Sequence, residues 1–318
     1  MLSYLAKKLI ESLIILFVLS IVIYYMLGLM PGDPIELLIT SRPNIKTEDI
    51  ARLKKIYGLD QPIYIRYFKW LKQVVVHADL GFSRTYKKPT SEILRGRLSN
   101  TFKLMLVAFL FSLGVALPLG IYSATHPYSK LDFLINILAF IGISIPSFWL
   151  GIMLLMIFSE KLSLFPAGGM FTIGETGFLD KIKYMVLPAL SLSAQSIGGW
   201  IRYVRSGMLE VIQKEYIQTA RAKGLDEESI IYKHALKNAM IPLITVIALS
   251  LPLLVSGATI TELVFAWPGM GRLLLDSVLN TDYYIAMIAM MLLAILTLAS
   301  NFVADLLYAI VDPRIRLR

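Results

Sequence analysis

Long apolar runs broken by short polar ones set the pattern of this chain. A membrane-spanning helix needs about 20 predominantly apolar residues, and six stretches reach that length: about 9–30, 101–124, 133–158, 184–201, 241–262 and 285–311. The pattern predicts an all-α membrane protein with six transmembrane helices. After the first run, Pro31-Gly32-Asp33-Pro34 stops the helix. That run is too long for a signal peptide and no small-residue cleavage site follows it, so it reads as a retained span. The third run carries Pro146 in its middle, which predicts a kink. The fourth is short and polar for a span, with Ser191, Ser193, Gln195 and Ser196 along it.

Two polar interruptions are long enough to have structure of their own. In 31–100, residues 46–57 read as a helix, with Thr47 as N-cap, Glu48 and Asp49 at the positive end of its dipole and Gly58 as C-cap. Tyr64 to His77 reads as an amphipathic segment that buries Tyr64, Tyr67, Phe68, Trp70 and Leu71. Two readings fit this region: helices packed at the membrane surface, or a contact with an external partner. The second interruption, 202–240, has a helical pattern from Ser206 to Lys223, whose apolar stripe runs through Met208, Leu209, Val211, Ile212, Tyr216, Ile217 and Ala220. Gly224 then fits a left-handed C-cap. Asp226 fits an N-cap, with Glu227 and Glu228 in the first turn after it. Pro242 marks the start of the fifth span. The sequence encodes helix, glycine corner, short helix, membrane. Such an elbow can dock a partner and pass on a displacement, which a floppy loop cannot. The same residues also suit an amphipathic helix lying on the inner leaflet.

Composition changes the picture in two ways. Hydrophobic residues make up 57% of the 318, charged residues only 17%, and mean hydropathy is +0.68, where soluble domains carry about 25% charge. Lipid-facing surface selects against charge in this way. The net charge of +9 has no clustered basic face on a soluble fold, so nucleic acid is not the expected partner. It serves orientation instead. Lys7, Lys8, Lys130, Arg202, Arg205, Lys214, Arg221, Lys223, Lys233, Lys237, Arg314, Arg316 and Arg318 fall on one side of the six spans, which predicts that both termini are cytoplasmic. Cysteine is absent, and the histidines at 77, 126 and 234 are scattered. Neither thiol chemistry nor a metal cluster is expected.

At the elbow the chain resembles the permease subunit of an ABC importer, in the dipeptide and oligopeptide branch. The general permease signature places Glu-Ala-Ala four residues before Gly, and Gln218-Thr219-Ala220 precede Gly224 at that spacing. Gln218 replaces the Glu, Thr219 replaces an Ala, and His234-Ala235-Leu236-Lys237 replaces the later Ile-x-Leu-Pro. The peptide branch departs from the general signature in a similar way. Further branch-like stretches span nearly the full chain: Leu29 to Pro34, Gly58 to Pro62, Asp79 to Ser83, Ser144 to Trp149, Leu164 to Gly169, Glu262 to Gly271 and Asp312 to Arg314.

The resemblance implies a type I importer fold and a prokaryotic plasma (inner) membrane location. The expected partners are a sister permease, two ATPase subunits and an extracellular or periplasmic substrate-binding protein. ATP and Mg would be bound by the ATPase subunits, with no cofactor in this chain, which carries no Gly-x-x-x-x-Gly-Lys-Ser/Thr loop. In organisation it implies 1–30 as N-terminus and first span, 31–100 as an extracellular loop with helices, and 101–318 as the permease core, with coupling region 202–240. The residues expected to contact the motor are Gln218, Thr219, Ala220, Arg221, Gly224, Leu225, Asp226, Ile230, Tyr232 and Leu236.

Candidates for a translocation pathway lie at the Pro146 kink and on the polar fourth span: Ser144, Ser147, Phe148, Trp149, Gln195 and Ser196. Helix-packing glue accounts equally well for them. The implied cargo is dipeptides or oligopeptides, and nickel or oligosaccharide stays open. An ion-coupled secondary transporter is the alternative of another class, and it calls for ionisable residues at mid-membrane. Asp305 alone comes near that description. It reads as a structural partner for Arg202, Arg205 or Arg314 rather than a proton relay.

Overall fold

The computed structural model describes residues 2–29, 61–175 and 177–311, the side chains of 2–5 and 308–311 excepted. The predicted helix at 46–57, the Pro31 to Pro34 break and the stretch from Asp312 lie outside the described residues. The chain is mostly helical. In order, the elements are α1 (Leu2–Gly28), α2 (Ile63–His77), strands β1 (Phe82–Ser83) and β2 (Lys88–Pro89), α3 (Thr90–Thr125), α4 (Lys130–Ser144), and α5 (Ser147–Leu154) with a π-helical extension Leu155–Lys161. They continue with α6 (Phe178–Ile212), α7 (Glu215–Ala222), α8 (Glu227–Ser229) with a π-helical extension Ile230–Ala235, α9 (Leu236–Ser250), α10 (Leu253–Ser256), α11 (Thr259–Val264), α12 (Met270–Leu279) and α13 (Tyr283–Val311). Among the described residues, Ala6–Gly28, Thr90–Thr125, Glu227–Ser256 and Tyr283–Leu307 are each long and apolar enough to cross a membrane, and α4 with α5 forms a bent fifth candidate.

Three elements differ from the sequence expectation. The third span is not merely kinked at Pro146: its two halves meet at 103°. A proline drives the residue before it out of the helical region, and Ile145 is extended at φ −85° and ψ 124°, so the helix stops and restarts. The fourth helix runs on to Ile212, well past the predicted limit at Ile201. The fifth span starts within the polar interlude and ends before Glu262, because Gly257 takes φ 75° and ψ 179°, a conformation open essentially to glycine alone. Pro242 lies inside α9, not ahead of it.

Among the described residues two compact units emerge, one drawn from 98–272 and 296–311 and the other from 2–97 and 273–295. In the first, α6 is the central rod. A Cβ at Gly198 would collide with the Ala139 carbonyl of α4, and one at Gly207 would lie 2.9 Å from the Ala239 carbonyl of α9. Glycine at both positions lets these backbones approach closely, the usual device where helices pack without a hydrophobic drive. A buried cluster of Ala139, Trp200, Val204, Met208, Ala239 and Leu243 fills the seams.

In the second unit, α2 packs on α1. The Ser20 and Tyr67 hydroxyls are 2.8 Å apart, and Tyr24 lies 5.4 Å and 5.5 Å from the rings of Tyr67 and Trp70. Tyr67 and Trp70 are buried as the sequence pattern expects, whereas Tyr64 and Phe68 are exposed. The β1/β2 hairpin pairs Phe82 with Pro89 and Ser83 with Lys88. Asp79 turns the chain into it by accepting from the Gly81 amide at 2.9 Å, and donors from Gln73 and Gly81 hold its carboxyl below the usual carboxylate range.

Candidate functional site: a glycine-cornered elbow

The elbow begins where α6 ends. The sequence pattern predicts one helix from Ser206 to Lys223, but it breaks at Gln213 and Lys214, and Lys214 is extended at ψ 148°. Side-chain direction gives the reason. At about 100° per residue, Met208 and Val211 on an unbroken helix would face roughly opposite to Ile217 and Ala220. The break turns both pairs into one core, where Met208 and Ile217 are 0% exposed.

After α7 the chain closes a two-bond glycine cap. The Gly224 amide donates to the Arg221 carbonyl at 2.9 Å and the Leu225 amide to the Ala220 carbonyl at 3.4 Å, with Gly224 at φ 76°. This is the 5→2 and 6→1 pattern of a left-handed helix end. Asp226 then caps α8, accepting from the Ser229 amide at 2.7 Å. Arg221 and Glu227 bridge the corner through Nη2 to Oε1 at 2.5 Å and Nε to Oε2 at 3.1 Å. The Glu227 carboxylate raises the Arg221 guanidinium pKa above its ordinary value.

The predicted motor-contact residues divide into two sets. Gln218, Thr219, Arg221, Gly224, Leu225, Asp226 and Tyr232 are exposed, and Leu236 is half-buried. Ala220 and Ile230 point inward at 7% and 0% exposure and pack in the core that joins the elbow to α6 and α9. Thr219 returns its hydroxyl to the Glu215 carbonyl at 2.9 Å. What remains outward is a face of backbone corner, amide, aliphatic and phenol groups, with Arg221 and Glu227 paired, Asp226 capping, and Lys223, Glu228 and Lys233 exposed around them. Such a face suits shape-matched docking and the transmission of a push. It holds no nucleophile constellation.

The six pathway candidates gather where α5 restarts against α6. Ser191 Oγ donates to the Ser147 carbonyl at 2.5 Å and Gln195 Nε2 to the Ile145 carbonyl at 3.3 Å. Ser144 Oγ bonds back to the Phe140 carbonyl at 2.8 Å. Phe148 and Trp149 are exposed, and Ser196 is half-buried.

Three buried carboxylates were not singled out as sites from the sequence. Asp132, 3% exposed, takes Arg205 Nε at 2.9 Å and Nη2 at 3.0 Å. Arg205 is therefore committed to Asp132 rather than to Asp305, while Arg202 lies over the Phe140 ring at 4.8 Å. A signal was present in Ser129 three residues before Asp132, a capping-box spacing, and Ser129 Oγ does accept from the Asp132 amide. Glu262, 1% exposed, accepts from Thr101 Oγ1 at 2.7 Å and the Arg272 amide at 3.0 Å. The turn that follows packs over it, with Trp267 Nε1 donating to the Asn100 carbonyl at 3.2 Å. Asp282, 4% exposed, accepts from Ser83 Oγ at 2.6 Å and the Thr85 amide at 3.0 Å.

An all-α membrane protein with long and broken apolar helices and a rigid elbow between two of them has the build of a transport permease. Residues 116–317 match the family described as binding-protein-dependent transport system inner membrane component, and residues 1–105 match its N-terminal counterpart. The chain belongs to that family. It is 40% identical over 317 residues, 99% of each chain, to the oligopeptide transport system permease protein AppB of Bacillus subtilis (strain 168). It is 35% identical over 320 residues, 94% of each chain, to the dipeptide transport system permease protein DppB of Escherichia coli (strain K12). A chain of the MetNI methionine ABC transporter, solved in inward-facing conformations, shares the fold with a TM-score of 0.55 at 20% identity, covering 70% of this chain and 97% of that one.

Proposed function

We propose that this chain is one of two sister permease subunits of an ATP-driven importer in a prokaryotic inner membrane. It carries dipeptides or oligopeptides handed over by an external binding protein. The termini and the elbow lie on the cytoplasmic side of six spans, and two separate ATPase subunits bind ATP and Mg. The 1–30, 31–100 and 101–318 segments serve as first span, external loop and permease core. One observation carries this reading: the outward face of the elbow, from Gln218 through Leu225 to Tyr232, is held by a glycine cap and rooted in a buried core. A partner that closes on this face displaces α6 and α9 instead of bending a loop. Peptide cargo rests on the relatives, two of which are named as oligopeptide and dipeptide permeases.

The test is co-expression with the neighbouring transporter genes, followed by purification and reconstitution. We expect ATPase subunits to co-purify and labelled di- to pentapeptides to enter vesicles only with ATP and binding protein present. Uptake that follows an ion gradient, with no ATPase recovered, would overturn the reading. Uptake of nickel or oligosaccharide in place of peptide would overturn the cargo alone.

A further inference from the structure

Asp132 collects more hydrogen bonds than an ordinary capping carboxylate needs. Oδ1 accepts from Ser123 Oγ at the end of α3, from Asn136 Nδ2 at 2.6 Å and from Arg205 Nε at 2.9 Å. Oδ2 accepts from the Tyr128 amide at 2.9 Å and from Arg205 Nη2 at 3.0 Å. One side chain thus ties together the end of α3, the following turn, the first turn of α4 and the lower part of α6. The fork of Arg205 fixes orientation as well as distance. On the same helix, one and two turns further on, Met208 and Val211 root the elbow, so Arg205 stands between elbow and α4.

A buried ion pair is seldom kept for stability, since well-packed apolar side chains in its place are often as stable or more so. What it supplies is a defined geometry. Close backbone contact at Gly198 locks α4 to α6 further along. The first place where the backbone can flex is then the extended Ile145 ahead of Pro146, where α4 and α5 meet at 103°.

We infer that Asp132 and Arg205 are positioning residues that make the elbow, α6 and α4 one moving body, so that a displacement of the elbow is delivered to the break at Pro146. This rests on the importer reading above, and the tests separate the two.

The double variant Asp132→Leu/Arg205→Met removes the strut while leaving no buried charge, and Arg205→Lys keeps the charge but loses the fork. In the reconstituted transporter we expect basal ATP hydrolysis within twofold of wild type for both. Peptide imported per ATP should fall at least tenfold in the double variant and by an intermediate factor in Arg205→Lys. Wild-type import per ATP in either assembled variant would overturn the strut, and Arg205→Lys decides alone if the double variant does not assemble.

A second measurement is independent of cargo. The native sequence has no cysteine, so spin labels at Lys130→Cys and Lys233→Cys report the distance from α4 to the elbow without background. We expect one narrow distribution with the pair intact and a broadened or split one in both strut variants. An unchanged narrow distribution would overturn the inference even if the importer reading stands, and a narrow-to-broad change would uphold it even if wild type imports no peptide.

Discussion

Arg221 and Glu227 satisfy each other across the glycine corner, guanidinium fork to carboxylate at 2.5 and 3.1 Å. Neither offers an incoming partner a bare charge, and Asp226 is likewise engaged as a helix cap. On the proposed docking role, shape and the neutral groups of Gln218, Leu225 and Tyr232 make the contact at the corner itself, with Lys223, Glu228 and Lys233 the exposed charges around it.

The Arg221–Glu227 pair itself contributes little to stability. Its side chains are 43% and 56% exposed, and exposed pairs contribute about 0–1 kcal/mol. Arg221→Ala should lower the unfolding free energy by no more than about 1 kcal/mol. The difference from wild type should shrink in 1 M NaCl, where screening acts within about 3 Å. Thermal melting of the detergent-solubilised protein at two salt concentrations measures both. A salt-independent loss would mean the pair acts through packing.

Gly224 is the residue the corner cannot replace freely. At φ 76° it sits where L-residues are strained, yet a Cβ there would meet nothing within 4 Å. The cost of substitution is thus purely conformational, about 1–2 kcal/mol and higher for a β-branched side chain. Gly224→Val should both destabilise the chain and uncouple ATP hydrolysis from uptake. Gly224→Asn, which tolerates the left-handed region, should retain most coupling. Equal behaviour of the two variants would show that strain at the corner is not what matters.

Much of the elbow was legible in the sequence because its signals are local. Gly224 and Asp226 are a helix stop and a helix start two residues apart, and each does what its type predicts. The long apolar helices were legible for the same reason. The break at Gln213 and Lys214 was not, because neither residue is a breaker. It arises from the demand that Met208 and Ile217 reach one core, a tertiary constraint. Asp132 with Arg205 and Thr101 with Glu262 were missed on the same account: partners 73 and 161 residues apart leave no periodic trace. Pro146 was seen as a bend, but only the packing of α5 against α6 decides between a kink and a right-angle restart.

Thr101 adds a second link between Glu262 and the start of α12, beside the Arg272 amide bond. Its hydroxyl donates to Glu262 Oε1 and accepts from the Met270 amide, both at 2.7 Å, in a fully buried setting. Thr101→Val keeps the shape and removes both bonds. A buried group left unpaired costs about 1–3 kcal/mol, so the loss should be roughly 2–6 kcal/mol for the two together. Thr101→Ser should be close to wild type. Chemical unfolding of the three proteins tests this, and a Val variant as stable as the Ser variant would mean that water or a shifted side chain replaces the hydroxyl.

Asp282 should control the β1/β2 hairpin in the same manner. It holds Ser83 Oγ and the Thr85 amide, and Ser83 Oγ in turn accepts from the Tyr86 amide at 3.0 Å. With Asp282→Ala the Thr85 amide loses its acceptor and Ser83 is freed to rotate. Hydrogen exchange at Thr85 and Tyr86 should accelerate at least tenfold, with α3 unaffected. Unchanged exchange at both amides would show that strand pairing alone holds the loop.

The two polar residues that reach the broken helix separate cargo contact from helix packing. Ser191 is fully buried and its short bond to the Ser147 carbonyl is the kind of interhelical link that holds membrane helices together, worth about 0.6 kcal/mol on average and up to roughly 2. Gln195 is exposed and reaches the Ile145 carbonyl only at 3.3 Å, so a passing peptide could compete for either partner. Ser191→Ala should lower stability within that range and leave the concentration dependence of uptake alone. On the proposed pathway, Gln195→Ala should leave stability nearly unchanged and shift the cargo concentration at half-maximal uptake by at least threefold. Uptake measured over a range of binding-protein-bound peptide decides it: if Gln195→Ala is kinetically silent, both residues are packing elements, and the translocation pathway runs elsewhere than along the Pro146 break.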